Sequence, residues 1–331
     1  MEMETKPTVK GNLLGRGRHG RVYSAFSFNH TPDHLAVKSA FSSHSSLLAK
    51  EKRILSELQH CPEIVHCYGD DSTMEEGVET YNLFLEYAPG GSLADLIRNS
   101  GGTLPESNVQ LYTRMILKGL CHIHEKGYVH CDIKPSNILI FPLEDGGNKV
   151  KIADFGLAKR VGEERALQLP QFSGTPAYMS PESVVCGEDE PPLDVWSLGI
   201  TVVEMLTGKL VWRRLGKEDL LFSIVFGEPE IPESVSEEGK DFLRMCFRRE
   251  AKERWTARML LNHPFITEEP SSMAMETSHF DWSRLKLRDP LASTGSSSSP
   301  RSRSNSFFSR FLSSMQSLFK ISLVLFHTYL G

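Results

Sequence analysis

Between residues 9 and 90 the apolar positions fall in short β-type runs with one helical stretch inserted. Val22–Phe26 and Leu35–Lys38 are strand-like and flank a polar turn at Asn29–Asp33. Leu48, Glu51, Leu55 and Leu58 recur at helical spacing, which predicts a helix over Ser45–Leu58. Pro62, Asp70 and Asp71 punctuate the return, and Tyr81–Tyr87 reads as a further strand. After Gly90 the texture changes: Val109–Glu125, Val195–Thr207, Lys217–Phe226 and Glu238–Phe247 follow a helical apolar period. A strand-rich part followed by a helix-rich part predicts an α+β chain of two lobes, one over about residues 9–85 and one over about 90–266.

The composition agrees with one large globular domain and a tail. Apolar residues make up 40% of the 331 positions and charged residues 24%, which excludes a collagen-like or wholly disordered chain. The net charge of −5 excludes a polycation built for nucleic acid. Residues 267–331 hold seven basic and five acidic side chains and so carry +2, leaving −7 on the residues before them. The six cysteines form no C-x-x-C pair and are widely spaced, which points away from a disulfide framework or zinc site. The N-terminal residues contain no apolar stretch of a secretory signal, so the expected location is cytoplasmic, nuclear or both.

Beyond His263-Pro264-Phe265 the chain becomes serine-rich and basic, with a linker-like, partly disordered composition over Gly295–Ser309. Within 307–326, Phe307, Phe308, Phe311, Leu312, Met315, Leu318 and Phe319 recur at helical spacing, predicting an amphipathic helix. Three readings stand side by side: docking on the globular part or a partner, peripheral contact with an anionic membrane, or no role. Lys320 and the shortness of the apolar run argue against a transmembrane span.

The chemistry starts at Gly15-Arg16-Gly17-Arg18-His19-Gly20-Arg21-Val22, a G-x-G-x-x-G-x-V pattern. Glycines let backbone approach phosphate oxygens without a Cβ in the way. A dinucleotide-binding turn shares the pattern but opens a helix, whereas here a β-type run follows. Eighteen residues after Gly20 comes Lys38, in Ala36-Val37-Lys38, either a solvated strand end or a clamp on phosphates. Glu51 lies between Leu48 and Leu55 on the apolar helix face, where a carboxylate is costly unless paired with a cation; an ordinary surface glutamate is the alternative. His130-Cys131-Asp132-Ile133-Lys134-Pro135-Ser136-Asn137 follows, and Asp154-Phe155-Gly156 comes 22 residues after Asp132.

This ordered set, with Pro181-Glu182, resembles the eukaryotic protein kinases over about residues 9–266. The resemblance implies a bilobal kinase fold and transfer of the ATP γ-phosphate to protein hydroxyls, with ATP and Mg²⁺ bound between the lobes. By that resemblance Leu14, Gly15, Gly17, Gly20 and Val22 belong to a lid over ATP. Ala36 lines the nucleotide site, and Lys38 binds phosphates while held by Glu51. Leu85 is the gatekeeper, and Glu86, Tyr87 and Ala88 form the adenine-contacting hinge. Asp132 accepts the proton of the attacking hydroxyl, Lys134 steadies the transferred group, and Asn137 and Asp154 hold Mg²⁺. Glu182 is expected to pair with Arg254, and Asp194 to brace the catalytic loop.

Lys134 and Thr175 fit the serine/threonine class. Gly174–Ser183 is similar to the G-T-P-x-[WYF]-M-A-P-E-V stretch of mitogen-activated protein kinase kinase kinases, whose plant branch includes short members of this layout. Ser180 and Ser183 depart from that stretch, where alanine and valine are usual. The resemblance implies a mitogen-activated protein kinase kinase as protein substrate. A serine/threonine kinase of another signalling branch and a non-catalytic kinase-fold scaffold are the alternatives.

Cys131 stands where most of the family has an arginine that pairs with an activation-loop phosphate, and a thiol supplies no charge-assisted hydrogen bond. Ser173 is the best candidate phosphosite, since Thr175 has a structural role, and Lys159 is left as a partial phosphate partner. Loop phosphorylation is therefore expected to be less decisive here; a small buried residue at 131 is the plainer reading.

Overall fold

In the computed structural model, residues 8–267 are described except 18–19, 28–33, 43–44, 164–173, 186, 188 and 213–215. The first lobe is a five-stranded sheet in the order β1-β2-β3-β5-β4, built from β1 (Thr8–Gly17), β2 (Gly20–Ser27), β3 (His34–Phe41), β4 (Cys67–Glu75) and β5 (Val78–Glu86). Every neighbouring pair in it is antiparallel. Helix α1 (Ser45–Leu58) is inserted between β3 and β4. Its buried residues, Leu48, Glu51, Ile54, Leu55 and Leu58, form the stripe that the apolar spacing predicts.

Register decides which side chains meet. Val22 faces Lys38 across β2 and β3, Lys38 faces Leu83 on β5, and Ala36 faces Leu85. Cross-strand partners share a face and residues two apart on a strand share a face, so all five lie on one side of the sheet. Ala36, Leu83 and Leu85 on that side join Ile54, Leu55 and Leu58 of α1 in the main core. Ala25, Leu35 and Val37 form a separate small cluster.

One sequence expectation fails here. Asp70 and Asp71 lie inside β4, not in a break. Tyr81 donates to Asp70 across 2.6 Å and Asn82 Nδ2 to Asp71 across 3.1 Å, while Lys52 pairs with Asp70. Polar cross-strand partners make two aspartates tolerable on a strand whose side chains are all at least partly exposed.

The second lobe opens with α2 (Leu93–Asn99), which the apolar pattern did not predict. Its local signature is a capping box: Ser92 Oγ accepts from Asp95 N, and Asp95 accepts from Ser92 N. Then come α3 (Glu106–Glu125), β6 (Tyr128–Val129), β7 (Ile138–Pro142), β8 (Asn148–Ile152), β9 (Lys159–Arg160) and α4 (Pro181–Val185). Helices α5 (Pro192–Thr207), α6 (Lys217–Phe226), α7 (Glu237–Cys246), α8 (Ala257–Leu261) and α9 (Pro264–Thr267) complete it. Helix α5 is buried nearly all round, which explains its apolar run from Val195 to Val203.

β6 pairs with β9 and β7 with β8, so two small ladders hold the 130–137 and 154–157 segments between them. Cys61, Cys67, Cys121, Cys131 and Cys246 are free thiols. Among the described residues no helix is long and apolar enough to cross a membrane, and no group of three His, Cys, Asp or Glu is placed to hold a metal. The predicted turn at Asn29–Asp33, Ser173 and the 307–326 helix lie outside the described residues, apart from the turn's flanking strands.

Candidate active site

The glycine-rich segment connects β1 to β2, with Gly17 opposite Gly20. Gly20 has φ +143°, and a Cβ there would sit 2.4 Å from Ser39 O, so a side chain is excluded on both conformational and steric grounds. Leu14 and Gly15 precede the tip, Leu14 being 44% exposed and open to a ligand. A strand, not a helix, follows the glycines. That separates this segment from a dinucleotide-binding turn.

Lys38 is the centre of the charge arrangement. Its Nζ donates to Glu51 Oε2 across 2.6 Å and to Asp154 Oδ1 across 2.7 Å. Glu51 is 1% exposed and its Oε1 accepts from Phe155 N across 3.2 Å. β3, α1 and the Asp154-Phe155-Gly156 turn therefore converge on one ammonium. Burial pulls Lys38 down, but Glu51 and Asp154 together hold it well above the usual lysine value, so it is charged. Burial pushes the Glu51 carboxyl up, against the pull of Lys38. Desolvating such a pair costs several kcal/mol per ion, by an order-of-magnitude reckoning. A fold needing only stability would be served by apolar residues here.

Asp154 has φ +63°, a left-handed conformation uncommon for a non-glycine residue. The turn is stabilised beyond it: Phe155 is fully buried and its ring meets His130 edge-on at 4.8 Å. The left-handed backbone turns a partly exposed Asp154 carboxylate onto Lys38.

Asp132 is bracketed on every side. Its Oδ1 accepts from Thr175 N across 3.0 Å and from Thr175 Oγ1 across 2.8 Å. Its Oδ2 accepts from Lys134 Nζ across 2.6 Å and from Asn137 Nδ2 across 3.0 Å. Lys134 Nζ also donates to Thr175 Oγ1 across 2.6 Å. Gly174, just before Thr175, has φ +107°, and a Cβ there would lie 2.7 Å from Cys131 O. Only glycine lets the returning segment come this close to the catalytic loop.

The loop itself hangs on Asp194 at the start of α5. His130 N donates to Oδ2 across 2.8 Å and Cys131 N to Oδ1 across 2.9 Å, as the resemblance implied. A third partner had no sequence signal: His124 Nε2 lies 2.9 Å from Asp194 Oδ2, seventy residues away in the chain. Arg254 pairs with Glu182 at 2.6 and 3.1 Å, its side chain fully buried, with Pro192 O accepting from Nη1.

Glu86 ends β5, and its carboxylate is taken by Lys151 Nζ (2.6 and 2.7 Å) and His66 N (3.0 Å) while its own N donates to His66 O across 2.9 Å, so neither its side chain nor its N–H is open to an adenine. Tyr87 and Ala88 follow it between the lobes, and Leu85 is buried opposite Ala36. Lys159 is not an open phosphate partner, since it forms an ion pair with Asp189. Cys131 is 4% exposed and packs with Val129, Leu157 and Leu193.

The donor set fits a hard cation. Both amide hydrogens of Asn137 are spent on Asp132 O (2.9 Å) and Oδ2, which leaves its oxygen as an acceptor. Asp154 keeps a 41% exposed carboxylate. Two protein oxygens, with the remainder from water and phosphate, are what Mg²⁺ takes, and too few for a soft or closed site.

Comparison with known proteins agrees with this geometry. The protein kinase domain family matches residues 8–266. Mitogen-activated protein kinase kinase kinase 20 of Arabidopsis thaliana is 46% identical over 292 residues, spanning 85% of this chain and 83% of the relative. Mitogen-activated protein kinase kinase kinases 17 and 18 of the same plant are 45% and 42% identical, each over 79% of this chain and over 70% and 78% of their own lengths. The chain therefore belongs to the protein kinases, and within them to the mitogen-activated protein kinase kinase kinases, as an ATP-dependent serine/threonine kinase.

Proposed function

We propose that this kinase phosphorylates mitogen-activated protein kinase kinases on serine or threonine hydroxyls, using ATP bound with Mg²⁺ under the glycine-rich segment. The observation that carries the reading is the closed arrangement around Asp132 and Lys38: each charged group the chemistry needs already contacts its partner. Asn137 and Asp154 are the residues that hold Mg²⁺, which when bound neutralises phosphate charge. Lys38 orients the nucleotide phosphates and is itself kept in place by Glu51. Gly15, Gly17 and Gly20 bring backbone N–H groups to the phosphates. Val22, Ala36 and Leu85, on one face of the sheet, pack against the adenine, and Glu86 and Ala88 meet its edge with backbone groups.

Asp132 orients the attacking hydroxyl and takes its proton as the oxygen bonds to the γ-phosphorus and the bond to the ADP oxygen breaks. Lys134 lies 2.6 Å from the same carboxylate and offsets charge on the moving phosphoryl group. Proximity and charge neutralisation supply most of the acceleration in such a transfer.

The test is phosphate incorporation from ATP·Mg²⁺ by the full chain into purified mitogen-activated protein kinase kinases carrying inactivating substitutions of their own, beside a generic basic protein. Preferential labelling of a kinase kinase supports the cascade position. Labelling of the basic protein alone assigns the enzyme to another branch, and labelling of neither favours a scaffold.

A further inference from the structure

A largely buried ion pair joins β9 to the segment that leads into α5, beside the strand that enters the 130–137 loop. Lys159 sits on β9 opposite Val129 of β6, two residues before Cys131. Its partner Asp189 lies five residues before Asp194, the residue that holds His130 N and Cys131 N. The side chains are 20% and 10% exposed, so solvent screens the pair only weakly. Cys131 is itself buried and packs with Val129, the residue that faces Lys159 across β6 and β9.

We propose that Asp189, acting through Lys159, is a positioning residue for phosphoryl transfer: a permanent carboxylate that ties β9 to the segment entering α5. The connection forms a ring. β6 and β9 hold one end of the catalytic loop, the ion pair joins β9 to the 189–194 segment, and Asp194 returns to the loop backbone. Asp132 follows directly on Cys131, whose N is held by Asp194, so slack in this ring is felt at the carboxylate that takes the hydroxyl's proton.

The experiment uses the full chain on a generic basic protein, so that it does not depend on the identity of the physiological substrate. Asp189→Asn, Lys159→Met, their double variant and Asp189→Glu are compared for kcat, KM for ATP and Tm. Asp189→Asn and Lys159→Met are each expected to lower kcat about 10- to 100-fold, with the ATP KM within about twofold of wild type (~1.4–2.7 kcal/mol on the barrier). The double variant should lose less than the product of the two single losses, because both substitutions remove the shared pair. Asp189→Glu, which keeps the charge, should recover to within about threefold of wild type. Equal losses in the Asn and Glu variants, or losses that multiply in the double variant, overturn the proposal. So does a loss that disappears when each variant is assayed well below its own Tm, which marks a bond needed only for folding.

Discussion

Thr175 Oγ1 donates to Asp132 Oδ1 across 2.8 Å, although forty-three residues separate them in the chain. The contact ties the segment around Thr175 to the carboxylate proposed to take the hydroxyl's proton. With Lys134 it fixes both oxygens of Asp132 before any substrate arrives. Loss of the hydroxyl leaves Oδ1 with Thr175 N alone and takes from Lys134 Nζ one of its two acceptors. Thr175→Val is expected to lower kcat about 10- to 100-fold, or ~1.4–2.7 kcal/mol in barrier. Thr175→Ser keeps the donor and should stay within a few-fold. Steady-state rates on a basic protein substrate check both.

Lys38 carries two carboxylates at once. Lys38→Met should reduce phosphate incorporation to background and also lower Tm, since Glu51 is left buried without its cation, a loss of about 3–5 kcal/mol. Asp154→Ala should abolish activity with a smaller effect on Tm, because its side chain is 41% exposed. Undiminished activity in both variants would refute the assignments.

Cys131 offers no guanidinium, and Lys159 is already paired with Asp189. Ser173→Ala is therefore expected to cost less than a hundredfold in catalytic rate, under about 2.7 kcal/mol. A larger loss, or an equal loss after phosphatase treatment of the wild type, would show that a loop phosphate is required.

Arg254 is fully buried in its pair with Glu182, and its guanidinium also lies 5.1 Å from the Trp196 ring. Removing either partner leaves the other charge without compensation. Glu182→Gln and Arg254→Met should each destabilise the chain by about 3–5 kcal/mol. The double variant should be less destabilised than the sum of the two. Urea unfolding of the three variants measures it.

Glu204 accepts from the Tyr178 hydroxyl, and burial raises its carboxyl above the ordinary value of 4.5. The folded state therefore holds this proton more tightly than the unfolded chain does. Its stabilising share is complete below about pH 4.5 and is lost as pH rises through the raised value. Glu204→Gln removes that slope, so its stability relative to wild type should climb from pH 4.5 upwards. Unfolding free energies across pH 4.5–8 test the sign; a difference that stays flat or falls would contradict it.

Much of the fold was legible because its signals are local. Helical spacing located α1 and α6 to the residue, and α3, α5 and α7 to within three residues at their starts. β4 was missed, since its aspartates are satisfied only by Tyr81, Asn82 and Lys52 from other elements. The capping box at Ser92 and Asp95 was readable in the sequence, yet α2 is too short to show a period.

The sequence by itself determined which chemistry the chain carries, because glycines, a lysine, an aspartate, an asparagine and a second aspartate, in that order, each have one residue type able to do the task. The tertiary structure decided which partner each of them has. Lys38 meets Asp154 across 116 residues, Asp194 gains His124, Glu86 loses its carboxylate to Lys151, and Lys159 is claimed by Asp189. Ion pairing and hydrogen bonding act over a few ångströms of space, and only packing of the core brings residues so distant in the chain within that range.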